Sequence, residues 1–179
     1  LADSTPDPGT YPSFDPDLRM AMENELKDLI RRVLTGELSM VELFTASSTW
    51  VEPRLATHYG LSMTEADYVA VPERSGAGVF TTAAFLAGSS NPTRTSPVRR
   101  GAWVASNLMC REPPPPPDGV EQEFDQSEGA DTVVAQLAYH RENPACASCH
   151  DYLDPIGIVL ENFNGVGLYR STYADGAAI

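Results

Sequence analysis

Two thiols and one imidazole are the groups in this chain whose spacing could do chemistry. Cys146 and Cys149 are separated by two residues, and His150 follows at once. On a helix, residues three apart share a face, so both thiols can reach one flat group while the neighbouring imidazole is aimed at its centre. That is the c-type haem attachment pattern, with two thioether bonds to the porphyrin and histidine as the proximal iron ligand. The same letters serve other chemistries. A local disulfide or a thioredoxin-like redox pair would sit beside a βαβ pattern, and none surrounds it. Half of a zinc site would need a second Cys-x-x-Cys or a His-x-x-x-His, and neither is present. The spacing therefore predicts one covalently bound, iron-containing haem c held by Cys146, Cys149 and His150.

The second axial position has to be filled from upstream or left open, because residues 151–179 contain no methionine and no histidine. The candidates are His140, His58, Met63 and Met109, while Met20, Met22 and Met40 sit in an ordinary amphipathic stretch. His140 lies ten residues before His150 and is preferred as a metal ligand. It could instead cap its own helix or bind a haem propionate. Propionates in an acidic protein need cationic partners, and Arg94, Arg99 and Arg100 are the natural suppliers, with Arg170 a fourth. Each of these arginines could equally sit in an ordinary surface ion pair. Trp103, Phe163 and Tyr169 read as core aromatics or as packing for a porphyrin edge.

The elements that must position these groups are mostly helical. Residues 1–14 read as an irregular arm. Asp15 caps a first helix, Pro16 suits its first position, Gly36 lies past its end, and Leu18, Met22, Leu26, Leu29, Ile30 and Val33 recur at helical spacing. Ser39-Met40-Val41-Glu42 is a capping-box pattern that opens a short helix. A third helix is expected from about Val51 to Tyr59, with Pro53 in its first turn and Gly60 as its stop. Residues 61–96 read as loops with one short hairpin. Ser96-Pro97 opens a helix carrying Val98, Trp103, Val104, Leu108 and Met109, which ends before the extended polyproline run at 113–117. A helix at about 130–140 is broken by Asn143-Pro144. Asp154-Pro155 then reads as a new cap-and-proline start for Ile156, Val159, Leu160 and Phe163, with Gly165 and Gly167 closing it. Cys110, left over, reads as a buried inert thiol.

The predicted fold class is mainly α, with helices wrapped around one covalently bound haem, an extended polyproline strap, and loops. The expected divisions are an arm at 1–14, a helical domain at 15–112, a proline-rich acidic strap at 113–131, and a haem-attachment segment at 132–179 packed on 15–112. No internal repeat is visible.

A net charge of −13 argues against nucleic acid and anionic membrane surfaces as partners. It suits a redox partner with a basic docking face, the more so because residues 112–131 carry seven acids and no base. No apolar run is long enough to span a bilayer. Thioether attachment happens outside the cytoplasm, so a periplasmic or extracellular setting is expected. A chain that opens on Leu1 is also expected to be part of something longer.

The order of motifs resembles one family. It runs from Asn91-Pro92-Thr93-Arg94-Thr95-Ser96-Pro97-Val98-Arg99-Arg100-Gly101 through the proline run to His140-Arg141 and Cys146-Ala147-Ser148-Cys149-His150. Asp154-Pro155-Ile156-Gly157 and Leu160-Glu161-Asn162-Phe163-Asn164 then follow. This is similar to the haem-c-containing C-terminal domains of planctomycete-type cytochrome c proteins, found also in myxobacteria. Leu55-Ala56-Thr57-His58-Tyr59-Gly60-Leu61 resembles the domain that precedes them. The resemblance covers most of residues 15–170 and implies the C-terminal part of a large secreted or periplasmic protein with one or more c-type haems. It also implies a counterpart of His140. Family members commonly have methionine before the Asp-Pro, where this chain has Leu153, so a sulfur ligand is not expected there.

Together these readings predict single-haem electron transfer. Nothing outside the haem motif has the pattern of a catalytic triad, a phosphate loop or an acid–base carboxylate pair. An open-site haem enzyme or gas sensor is the alternative from the enzyme class. A haem-bearing structural or interaction subunit of a larger assembly is the third reading.

Overall fold

The structure is a computed structural model that describes residues 5–71, 74, 76–114, 132–173 and 176–179. The described residues are helix-rich, with one two-stranded sheet. The strap expected at 113–131 lies, from residue 115 onward, outside them. No described helix is long and apolar enough to cross a membrane. The chain forms two compact units, Leu1–Arg94 with Phe163–Tyr169, and Thr95–Asn162 with Arg170–Ile179.

The first unit is built on α1, Pro16–Leu34. Asp15 accepts from the Leu18 N–H at 2.7 Å, as the sequence leads one to expect. Leu18, Ala21, Met22, Glu25 and Leu29 are the positions that α1 buries, a stripe of helical period. The capping box forms reciprocally: the Ser39 N–H donates to Glu42 at 2.8 Å and the Glu42 N–H to Ser39 Oγ at 3.3 Å. It opens the single turn α2, Glu42–Thr45.

Here the structure departs from the expected third helix. Val51 closes strand β1, Ser48–Val51, and α3 begins only at Pro53 and runs to His58. β1 pairs antiparallel with β2, Asp67–Ala70, in the register Ser48↔Ala70 to Val51↔Asp67. The Trp50 and Tyr68 rings meet across it at 5.0 Å. Trp50 and Val51 favour a pleated surface, and their partner strand lies beyond α3, so no local hairpin signal marks the pair. A further helix, α4, Ala83–Gly88, occupies the stretch read as loop. It shows no amphipathic pattern because Ala83 to Ala87 are all buried.

Leu18, Ala21, Met22, Val51, Leu55, Ala56, Ala83, Ala84 and Val166 form the core of this unit. Within it Glu25 is 1 % exposed and accepts from the Thr49 hydroxyl, the Tyr59 hydroxyl and the Ala83 N–H at 2.8–2.9 Å. Burial pushes its carboxyl above the ordinary 4.5, with Arg74 and the three donors pulling the other way. The folded state thus holds the Glu25 proton more tightly than the unfolded chain does. Its contribution to stability is complete below pH 4.5 and is lost as pH rises through the folded value. Glu25→Gln keeps the shape, and the Thr49 hydroxyl can turn to accept. The melting-temperature difference between variant and parent should therefore shift in the variant's favour from pH 4.5 upward. A difference constant with pH would remove Glu25 from the account.

The second unit rests on α5, Pro97–Asn107, α6, Val133–His140, and α7, Pro144–Ile158. Ser96 caps α5 by accepting from the Arg99 N–H, and Thr132 caps α6 by accepting from the Ala135 N–H. Asp154-Pro155 does not start a helix. α7 runs through it, with Pro155 inside its last turn. The Asp154 side chain is engaged by His150 one turn back and so is not available as a cap. Val159, Leu160 and Phe163 lie beyond the helix, in turns and a bridge to Tyr169. Cys110 is also unlike its expectation. It is exposed, at φ 52°, just past the end of α5.

Candidate haem-attachment site

Cys146, Cys149, His150, Leu153, Asp154 and Gly157 fall at i, i+3, i+4, i+7, i+8 and i+11 of α7, one continuous stripe. Asn143, just before the helix, accepts from the N–H groups of Cys146 and Ala147 at 3.0 Å, which fixes the first turn. Cys146 is 7 % exposed and Cys149 partly exposed, and both are free thiols. The C-terminal half of the stripe packs on α5. There, a Cβ on Gly101 would meet the Leu153 carbonyl carbon at 2.8 Å, and one on Gly157 the Pro97 carbonyl carbon at 2.5 Å. Backbone meets backbone at both positions, so the helix that carries the motif packs directly against the backbone of α5, which only glycine at these two positions allows.

His150 is oriented from behind. Its Nδ1–H donates to Asp154 Oδ1 at 3.0 Å, one turn along the helix. This hydrogen bond leaves the Nε2 lone pair as the atom that can meet a metal. Asp154 is 0 % exposed, and its other oxygen faces Arg141 Nη1 at 3.6 Å. Arg141 is the C-cap of α6. The same helix end brings His140 to His150, with ring centroids 4.7 Å apart and planes at 70°. Burial and the neighbouring His150 lower the pKa of His140, and Asp154 partly offsets them. Neutral imidazole is the form that binds a metal.

The fit to haem can be tested on these distances. Two free thiols three apart on the first turns of a helix, followed by an imidazole whose far nitrogen is left open, form the donor set that a thioether-linked iron porphyrin needs. Two imidazoles on opposite faces of one iron need centroids about 6 Å apart, given metal–nitrogen bonds of about 2.0 Å. His140 and His150 are closer than that, so one ring must rotate outward by one to two ångströms. His140 is the last residue of α6 and only partly buried. The residues fit the group. A zinc ion is less well served, because no group of three or more His, Cys, Asp or Glu side chains is arranged to hold a metal among the described residues.

The other sequence candidates are distributed as follows. His58 and Met63 belong to the first unit. His58 is buried and its Nε2–H donates to the Val166 carbonyl at 2.9 Å, and burial holds its pKa below 6.5. Met109 is 53 % exposed beyond α5. Arg94 lies in the first unit, and Arg99 is half-buried on α5. Arg100 is fully buried, donating to the Leu160 carbonyl at 2.6 Å and facing Glu161 at 3.4 Å. Arg170 also binds Glu161, at 3.0 Å. These two guanidiniums are thus counter-ions of an internal carboxylate. Sequence reasoning missed Asp154 and Arg141 as partners of the site. The signal was available for Asp154, a carboxylate four residues after His150 on one helix, but its place before proline read more simply as a cap.

Two families match the chain. PSCyt3, a protein family of unknown function (DUF1588), matches residues 76–173, more than half of the length. PSD4, a protein family of unknown function (DUF1592), matches residues 1–61. No curated protein and no solved structure matches.

Proposed function

The chain belongs to the PSCyt3 family, and from that premise and the make-up of α7 we propose that it carries one covalent c-type haem and passes single electrons, outside the cytoplasm. One observation supports this above the rest: Cys146, Cys149 and the open nitrogen of His150 share one face of a helix whose far half is pinned to α5. When bound, the group supplies a one-electron ferric/ferrous couple. Cys146 and Cys149 would anchor the group, and His150 and His140 would supply nitrogen ligands to its iron. Of the three arginines expected to meet a propionate, Arg99 is the one that lies half-buried in the same unit as the motif, on α5. The net charge of −13 suits a basic redox partner that docks by electrostatic attraction.

The protein made in a host that attaches haem to thiols should keep its colour through acid–acetone extraction and stain for haem on a denaturing gel. Colour that extracts freely would defeat the assignment.

The open-site reading draws on the distance between the two histidines, since an outward rotation of His140 that goes too far leaves the sixth position exposed. With His140 bound, the ferric spectrum is low-spin and insensitive to cyanide, and His140→Ala should turn it high-spin and cyanide-binding. A parent protein that already binds cyanide would favour the open-site enzyme or sensor.

A further inference from the structure

We propose that Asp154 and Arg141 are positioning residues that set the electron-donating strength of His150, the carboxylate raising it and the guanidinium restraining it. The inference rests on the haem reading above and deepens it.

A buried carboxylate is expensive. Asp154 is 0 % exposed and lies inside a helix, one residue before a proline that removes a backbone donor. Helix interiors gain little from aspartate, whose short side chain favours caps. Yet Oδ1 sits 3.0 Å from His150 Nδ1, one turn along the same stripe of α7. A ligating histidine whose second N–H is held by a carboxylate has a fixed orientation and a more basic metal-facing nitrogen. Because the pair is shielded from water, the negative charge acts on the ring almost unscreened. It favours the more positive, ferric state of whatever iron that nitrogen binds.

Oδ2 makes no hydrogen bond. Its neighbour is Arg141 Nη1 at 3.6 Å, too long for a hydrogen bond but close enough for charge to act. The Arg141 side chain is 28 % exposed, so it opposes the carboxylate from a partly wet position. Arg141 is also the residue next to His140. The end of α6 therefore carries a candidate second ligand and the brake on the first, one residue apart.

A purely structural His–Asp pair would predict loss of stability on substitution and nothing systematic in the redox equilibrium. The proposal predicts two shifts of opposite sign. In the haem-loaded full chain, Asp154→Asn keeps the shape and a hydrogen-bond acceptor but removes the charge. It should move the ferric/ferrous equilibrium toward ferrous by on the order of tenfold, equivalent to 59 mV for one electron. Arg141→Gln should move it toward ferric by a smaller factor. Spectroelectrochemical titration reads both, and Arg141→Gln carries the test if Asp154→Asn does not fold. A haem-free readout accompanies them. In the apoprotein, ¹⁵N spectra should show His150 protonated at Nδ1, and Asp154→Ala should release it to the Nε2-protonated tautomer. Stably coloured variants with unmoved potentials, or potentials that shift in the same direction, overturn this inference alone. Protein that loses its colour on extraction overturns the haem reading and this inference with it.

Discussion

Replacing Glu161 by glutamine should destabilise the second unit by about 3–5 kcal/mol, the cost of leaving buried cations without their anion. Glu161 is 0 % exposed. It accepts from the Thr95 hydroxyl at 2.9 Å, from Arg170 Nη2 at 3.0 Å and from the Tyr173 hydroxyl at 3.4 Å. Opposite it stands Arg100, also 0 % exposed. Glutamine would remove the charge between the two guanidiniums and present an amide donor to groups that already donate. Arg170, with a quarter of its side chain exposed, can turn to water. Arg100 cannot. The double variant Arg100→Met/Glu161→Met should therefore recover most of the loss, since an apolar pair needs no counter-charge. Denaturant unfolding followed at Trp103, in a Trp50→Phe background, isolates this unit. A single-variant loss below about 1 kcal/mol would show that the carboxylate acts as no more than a surface pair.

Gly157→Ala should also destabilise, against the ordinary trend for a helix. Alanine in place of a helical glycine normally gains about 1 kcal/mol. Here the new methyl would meet the Pro97 backbone, its carbonyl carbon at 2.5 Å and its Cα at 2.7 Å. Backbone cannot swing aside as the end of a side chain can, so α5 and α7 must separate. Overpacking of that kind costs about 1–3 kcal/mol or more, which exceeds the propensity gain. Gly101→Ala, against Leu153, should behave alike. The double variant should cost less than the sum, because the first substitution has already opened the seam that the second would open. Thermal melts measure the loss, and haem incorporation during expression measures whether the motif is still presented. A raised melting temperature for Gly157→Ala would mean that the two helices do not touch here.

Much of the candidate site could be read from the sequence because its parts are local. Cys146, Cys149 and His150 depend only on helical periodicity. α1, α5 and α6 announce themselves through Asp15, Ser96 and the Asn143-Pro144 break. What could not be read depends on partners far away in the chain. β1 exists because Asp67–Ala70 comes to lie beside it, and Val51 taken alone continues smoothly into the helix at Pro53. α4 is buried on every side, so no periodic pattern distinguishes it from loop. Asp154-Pro155 has the letters of a helix start, but a histidine one turn earlier claims the aspartate. Arg100 reads in the sequence as a propionate partner or a surface ion pair, but Glu161, which follows α7 in sequence, makes it the counter-ion of a buried carboxylate.

The segment Phe163–Tyr169 has a consequence for the order in which the chain can be completed. It belongs to the first unit, where Val166 fills the core, its carbonyl receives His58, and the Gly167 carbonyl receives Arg74. Yet it is made after nearly all of the second unit. A nascent chain emerging from the N-terminus cannot close its first unit as that unit appears. It must hold Leu18, Leu55 and Ala83 partly uncovered while α5, α6 and the thiol-bearing α7 are synthesised. Position in the gene therefore differs from the order of folding. The thiols of Cys146 and Cys149 emerge before the first unit is sealed, and the last stitch in that unit comes after the attachment motif.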